Sequence, residues 1–166
     1  MNASHKADDH APNSLGWLRQ QNSDVRREAL EKLKDRGDDA AIALLVACLA
    51  DDNPGVQQKA IDGLIQIRGV PVLRQMVGLL RELAHIQNMA VEIIEQVVHE
   101  SVECLRPAIE SSDPNVRKLV VNALCRQPDP RCGTWLLSML AIRMPTFTPR
   151  WLKHSAIYAS AKRFRG

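Results

Sequence analysis

Large aromatic side chains are scarce: two Phe, one Tyr and three Trp make up 4% of 166 residues. Leu, Val, Ile and Ala must then fill the interior, a palette suited to helix packed on helix. No stretch approaches the roughly 18 uncharged apolar residues of a spanning helix. The eight glycines are scattered, which leaves no glycine-rich phosphate loop. Cys48, Cys104, Cys125 and Cys132 form no C-x-x-C pair, and no histidine stands at zinc-finger spacing. Each lies within or beside an apolar segment, so they read as buried free thiols of a reducing cytoplasm, with no metal and no cofactor expected. The opening "MNASHKADDHAPNS" has no basic region ahead of an apolar run; residues 1–13 are expected to be a disordered leader.

What is present is asymmetric. Residues 1–125 hold 14 Lys and Arg against 18 Asp and Glu, a net −4, whereas residues 126–166 hold 8 against Asp129 alone, a net +7. The basic end is the one compositional break in the chain.

Three segments look alike: "NSDVRREALEKL" (22–33), "DDNPGVQQKAIDGL" (51–64) and "SSDPNVRKLVVNAL" (111–124). Anchoring on Val25, Val56, Ile86 and Val116 gives intervals of 31, 30 and 30 residues, a repeat period. Four residues on stand Ala29, Ala60, Ala90 and Val120, and eight on stand Leu33, Leu64, Ile94 and Leu124. These positions share one helical face, with a small residue at its centre in three copies. A second apolar cluster follows in each copy, at Leu44–Leu49, Met76–Leu80, Cys104–Ile109 and Trp135–Leu140, so each unit is a pair of helices. Ser23, Asn53 and Asp113 are the expected caps of the first helices, with Pro54 and Pro114 in the first turn. Gly37, Gly69 and Pro128 are expected between the two helices of a unit. A pair this short cannot bury its apolar face alone, so the fold class is all-α, a short solenoid of about four helical hairpins with a C-terminal capping helix.

The units fall at about 22–50, 51–82, 83–111 and 112–142, within a repeat domain of 14–143. Residues 14–20, "SLGWLRQ", are expected to close the first end, with Trp17 and Leu18 against unit one. "MPTFTPR" (144–150) reads as a connector, and "WLKHSAIYASAKRF" (151–164) as a basic amphipathic helix over the other end, within 144–166. The third unit, "ELAHIQNMAVEII", lacks a clear cap, and Pro107 should kink or break its second helix.

The segments around 22–33 and 112–124 resemble the HEAT-like repeat, in particular the short form of phycobiliprotein lyase subunits and many bacterial adaptors, whose pattern approximates D-x-x-V-R-x-x-A-x-x-A-L. The resemblance covers about residues 22–140. It implies first helices on a convex side, second helices on a concave and usually binding side, and an Asp/Arg ladder between units. The Arg column here reads Arg26, Gln57, Gln87, Arg117, and the Asp column reads Asn22, Asn53, Leu83, Asp113. With both members present only in the fourth unit, no continuous ladder is expected.

HEAT-like deoxyhypusine hydroxylases bind iron through His-Glu doublets on the first helices. The corresponding positions here, Arg27-Glu28, Gln58-Lys59, Asn88-Met89 and Lys118-Leu119, hold none, and His99-Glu100 falls between helices. A lone doublet cannot build a two-metal site. HEAT-like DNA glycosylases lay DNA on a basic face around Trp and acidic residues; Trp135 with Arg131, Arg143 and Arg150 is the local counterpart, although Trp135 also fits a core column with Leu44, Gln75 and Leu105. No nucleophile and base come together in the pattern, so no catalytic residue is assigned.

The positions flanking the second-helix core should face the groove. One column reads Val46, Val77, Arg106, Leu137; others read Ala43, Arg74, Glu103, Thr134 and Ala50, Arg81, Glu110, Ala141. Arginines among small and apolar positions suit a protein-binding face. The partner-binding residues are therefore Arg74, Val77, Arg81, Glu103, Arg106, Leu137 and Arg143, and the expected function is a cytoplasmic, non-enzymatic adaptor for a protein partner. Two alternatives stay open: nucleic-acid binding through the basic C-terminal third, and a bilin lyase subunit, the latter on resemblance alone.

Overall fold

Three of the four first helices start on a side-chain cap. Asn22 accepts from the N–H groups of Asp24 and Val25 at 3.1 and 3.0 Å and opens α2 (Ser23–Arg36). Asn53 accepts from Gly55 and Val56 ahead of α4 (Pro54–Ile67), and Asp113 accepts from Asn115 at 2.8 Å ahead of α8 (Pro114–Cys125). These acceptors satisfy donors that a first turn leaves without intrahelical partners. In the first unit the cap is Asn22 and not the expected Ser23: Asn22 keeps the extended backbone a cap needs, and Ser23 is already helical. The third first-helix, α6 (Ala84–Val97), has Leu83 in the cap position, with no side-chain hydrogen bond and 70% exposed.

The computed structural model describes residues 14–126 and 129–143, and over these the chain is all-α. A short α1 (Leu15–Arg19) precedes α2, with Leu18 buried and Trp17 half-buried against the core. The second helices are α3 (Asp39–Cys48), α5 (Gly69–Leu79) and α9 (Pro130–Arg143). In the third unit the second helix is broken, as Pro107 demanded. The chain passes through 3-10 turns at Val98–Glu100 and Val102–Leu105 into a single helical turn, α7 (Arg106–Ile109). Pro107 occupies the start of that turn, where its missing N–H costs nothing. The leader, Pro128, the connector and the basic terminal segment lie outside the described residues.

Helices α2, α4, α6 and α8 pack each on the next in one row. The second row runs from α3 to α5, then to the 3-10 turn Val102–Leu105, then to α9. The core lies between the rows and forms an α-solenoid interior. The repeat columns build it: Val56, Ile86 and Val116, then Ala29, Ala60, Ala90 and Val120, then Leu33, Leu64, Ile94 and Leu124 are all buried. Val25 is only half-buried; among the described residues the short α1 is the one helix that precedes α2. Gly63 permits a close approach of helices. A Cβ there would lie 3.1 Å from Leu45 Cδ2 and 3.5 Å from Lys34 Cβ, so α4 sits close on both α2 and α3.

Between the two helices of each of the first two units the chain turns through residues of positive φ. Gly37 at φ 61 closes α2, a conformation glycine adopts without a Cβ penalty. In the second unit the expected Gly69 shares the turn with Arg68, at φ 59 and ψ −164. That region is strained for any residue with a Cβ.

The column headed by Arg26 plays a different part from the ladder. The Arg26 guanidinium donates to the Gln21 carbonyl at 2.7 Å, the Gln57 amide to Asp51 O at 2.6 Å, and the Gln87 amide to Leu80 O at 3.1 Å. Arg117 donates to the carbonyls of Ser111 and Ser112 at 2.7 and 2.9 Å. In every unit a long polar side chain on the first helix thus satisfies backbone acceptors of the loop that enters it. Arg and Gln both carry a donor at that reach, which is why they interchange down the column. Asp113 and Arg117 therefore do not form the ladder pair, since the carboxylate caps α8 and the guanidinium holds the loop. One link between units survives as charge: Arg26 meets the Asp51 carboxylate at 2.8 Å, both side chains largely buried. Elsewhere the first row is tied by Glu31 with Lys59, Glu31 also pairing with Lys34 on its own helix, and by Glu95 with Arg126 at 3.1 Å.

Candidate protein-binding face on the second-helix row

The outward side of α5 is built by spacing. Arg74, Val77 and Gly78, three and four residues apart, fall on one helical face, and Arg81 follows in the turn after Leu79. Met76, Val72 and Leu73 point the other way and are fully buried. Arg74, Gly78 and Arg81 are exposed and Val77 is half-buried against the core. Neither Arg74 nor Arg81 meets a carboxylate or a hydrogen-bond acceptor among the described residues. Beside them α3 presents exposed Ala43 and half-buried Ala47, and exposed Ala50 follows in the turn after it, so little side chain stands above the backbone there.

At the N-terminal ends of α3 and α5 the two helices part into an open cleft of about 310 Å³, lined by Asp39, Ile42, Pro71, Arg74 and Gln75. Local chemistry explains why Asp39 faces it uncommitted. Asp38 is the cap of α3, accepting from Ala41 N–H at 2.7 Å and from Arg36 at 2.7 Å, which holds its carboxyl below the usual range. Its neighbour Asp39, one residue into the helix, has no such partner among the described residues and is exposed. Ile42 forms the buried floor. The groove columns identify Arg74 but not Asp39, Ile42, Pro71 or Gln75, because the cleft joins the first turns of two helices thirty residues apart. The consecutive "DD" at 38–39 was the one available signal, since a single acceptor suffices for a cap.

Residues 13–85 match the family model described as HEAT repeats. Over that stretch the chain is similar to HEAT repeats. The matched stretch runs from the first described helix to the start of α6, so it contains both α3 and α5 and the cleft between them. No curated protein matches the sequence. Among solved structures, the crystal structure of an engineered protein is similar at 21% identity over 83% of this chain and 72% of that one, with a TM-score of 0.32.

Further along the HEAT-like row the charges are increasingly spoken for. Glu103 and Arg106 are exposed, on the 3-10 turn and α7, and Arg106 approaches Glu110 at 4.0 Å. Leu137 on α9 is half-buried. The Arg143 side chain lies outside the described residues, as do Arg150 and Trp151. Arg131 is gripped by Asp129, with N–O distances of 2.6 and 2.9 Å, and also donates to the His99 carbonyl at 3.3 Å. The Asp129 hydrogen bonds and charge raise its pKa above the ordinary value, with Glu103 adding to the effect. Trp135 is half-buried against the core. Its column is mixed and not the core column expected: Leu105 is buried, Leu44 half-buried and Gln75 exposed on the cleft.

The cysteines also divide. Cys48 and Cys132 are buried thiols, and burial first, then the nearby Asp51, pushes Cys48 up to about 11. Cys104 is half-buried and Cys125 exposed, contrary to the expectation that all four are interior; Cys125 ends α8 on its outer side. Among the described residues no group of three or more His, Cys, Asp and Glu is placed to hold a metal ion, and no helix is long and apolar enough to cross a membrane.

Proposed function

We propose that the protein is a non-enzymatic adaptor that binds a partner protein along its second-helix row, working in a reducing cytoplasm where its cysteines stay as thiols. HEAT repeats generally serve protein interaction, and the observation that carries the reading is the face of α5. Two arginines seven residues apart stand exposed and uncommitted, beside a helix whose outward positions after Asp39 are mostly alanines. Elsewhere in the solenoid arginines such as Arg26, Arg117 and Arg131 are consumed by carbonyls or carboxylates. An exposed Arg with no internal partner supplies a planar donor fork for a partner's carboxylate, and small neighbours let a partner helix or strand approach the backbone.

The test is a pull-down from source lysate with wild type and the Arg74→Glu/Arg81→Glu double variant, at low and high salt. The expected result is a protein recovered by wild type at both salts and lost by the variant, with Tm unchanged within about 2 °C, since neither side chain has a structural partner. Equal recovery by both chains removes the α5 face from the interaction. Recovery of nucleic acid that disappears steeply with salt would replace the adaptor reading with a phosphate-binding one.

A further inference from the structure

The α3–α5 cleft is lined by both signs of charge, with neither group in an ion pair among the described residues. Asp39 and Arg74 line the same open space, each exposed and without a partner among the described residues. They leave each other free, although pairing across the cleft would satisfy both. Between them lie the buried Ile42 floor, the Pro71 ring and the Gln75 amide. Pro71, in the first turn of α5, has no N–H to turn toward a ligand and presents only apolar ring. Gln75 adds a donor and an acceptor that can pair with a peptide backbone.

We infer that this cleft is a subsite for a protein segment bearing a basic residue and an acidic residue on either side of an apolar one. The basic side chain meets Asp39, the acidic side chain meets Arg74, and the apolar side chain lies on Ile42 and Pro71. The cleft of about 310 Å³ holds one such side chain with the backbone above it. In an extended segment one apolar residue between the two charges sets them two residues apart, at about 3.3 Å per residue. The order of the charges fixes the direction in which the segment runs, which a row of arginines alone could not do. This inference rests on the adaptor reading and names the chemistry of its partner.

The experiment selects displayed random peptides of about twelve residues on the immobilised full chain, then measures affinities of the enriched peptides by fluorescence anisotropy. Enriched peptides should share a basic–apolar–acidic pattern in one order. Arg74→Glu should weaken them about tenfold or more through like-charge contact with their acidic residue. The Asp39→Arg/Arg74→Asp double variant should enrich peptides with the two charges exchanged, a gain that damage to the fold cannot produce. Enrichment of peptides with no charge pattern, or with equal affinity for wild type and Arg74→Glu, overturns the subsite while leaving the adaptor reading standing on another face. Failure to enrich any peptide overturns both.

Discussion

Units one and two differ from unit three in nearly everything except their core columns. The first two have capped first helices, at Asn22 and Asn53, and continuous second helices. Glu31, paired with Lys34 on its own helix, joins them to each other through Lys59. Unit three starts α6 on an exposed Leu83 without a capping side chain, and its second helix is a 3-10 turn followed by one helical turn at Pro107. Yet Ala90 and Ile94 are as completely buried as Ala60 and Leu64. Gln87 still reaches back to the Leu80 carbonyl, as Gln57 does to Asp51. A repeat can therefore lose its caps and half its second helix and keep its place in the stack, provided its apolar column and its loop-holding donor remain. Burial of several side chains outweighs a cap worth about 1 kcal/mol.

That comparison can be broken at its strongest point first. Leu64→Ala and Ile94→Ala should each cost about 2–5 kcal/mol in chemical denaturation, since both delete fully buried methyl groups between packed helices. Similar losses mean that the two units carry equal weight in one cooperative structure. A much smaller loss at Ile94, or a separate early transition, would show unit three melting on its own. Next in size is the cap. Leu83 has the extended backbone of a cap residue, at φ −61 and ψ 150, so Leu83→Asp should stabilise by about 1 kcal/mol, and Asn53→Ala should lose about as much. No gain at Leu83 would mean that the exposed leucine is held by something other than helix formation.

The smallest effect concerns the ion pair that joins the first two units, Glu31 with Lys59. Hydrogen bonds from Lys34 and Lys59 bring Glu31 from 4.5 down to about 2 in the folded chain. A carboxylate depressed in this way contributes its stability fully above its unfolded pKa, and loses it as pH falls from about 4.5 through about 2. Glu31 is partly exposed, so solvent screens the pair and the contribution is modest. Stability of Glu31→Gln should fall less steeply than wild type across that window and differ from it by a small constant amount near neutrality. Parallel pH curves would remove Glu31 from the bonds between units.

Much of the architecture is legible in the chain alone, for reasons that stay local. The 30-residue spacing of Val56, Ile86 and Val116 marks core positions because each helix must present one apolar stripe. Asn53-Pro54 and Asp113-Pro114 mark helix starts because cap and proline act within one turn. Pro107 marks the break for the same reason. The groove columns also place Arg74, Arg81 and Arg106 on the exposed side, as period alone allows. Beyond that reach the pattern is silent. That Arg26, Gln57, Gln87 and Arg117 share one task is hidden in residue types, since the carbonyls they hold have no sequence signature. Cys125 looks interior beside Leu124 but stands one step around the helix, in solvent.

The sequence by itself determined the repeat, its four anchors, most of its helix starts and the weak third unit, because periodicity, caps and prolines act over one or two helical turns. Only the tertiary structure decided which charges remain free. Arg131 and Arg74 are equal as letters. One is neutralised by Asp129 two residues away, and the other lines an open cleft with Asp39, thirty-five residues back.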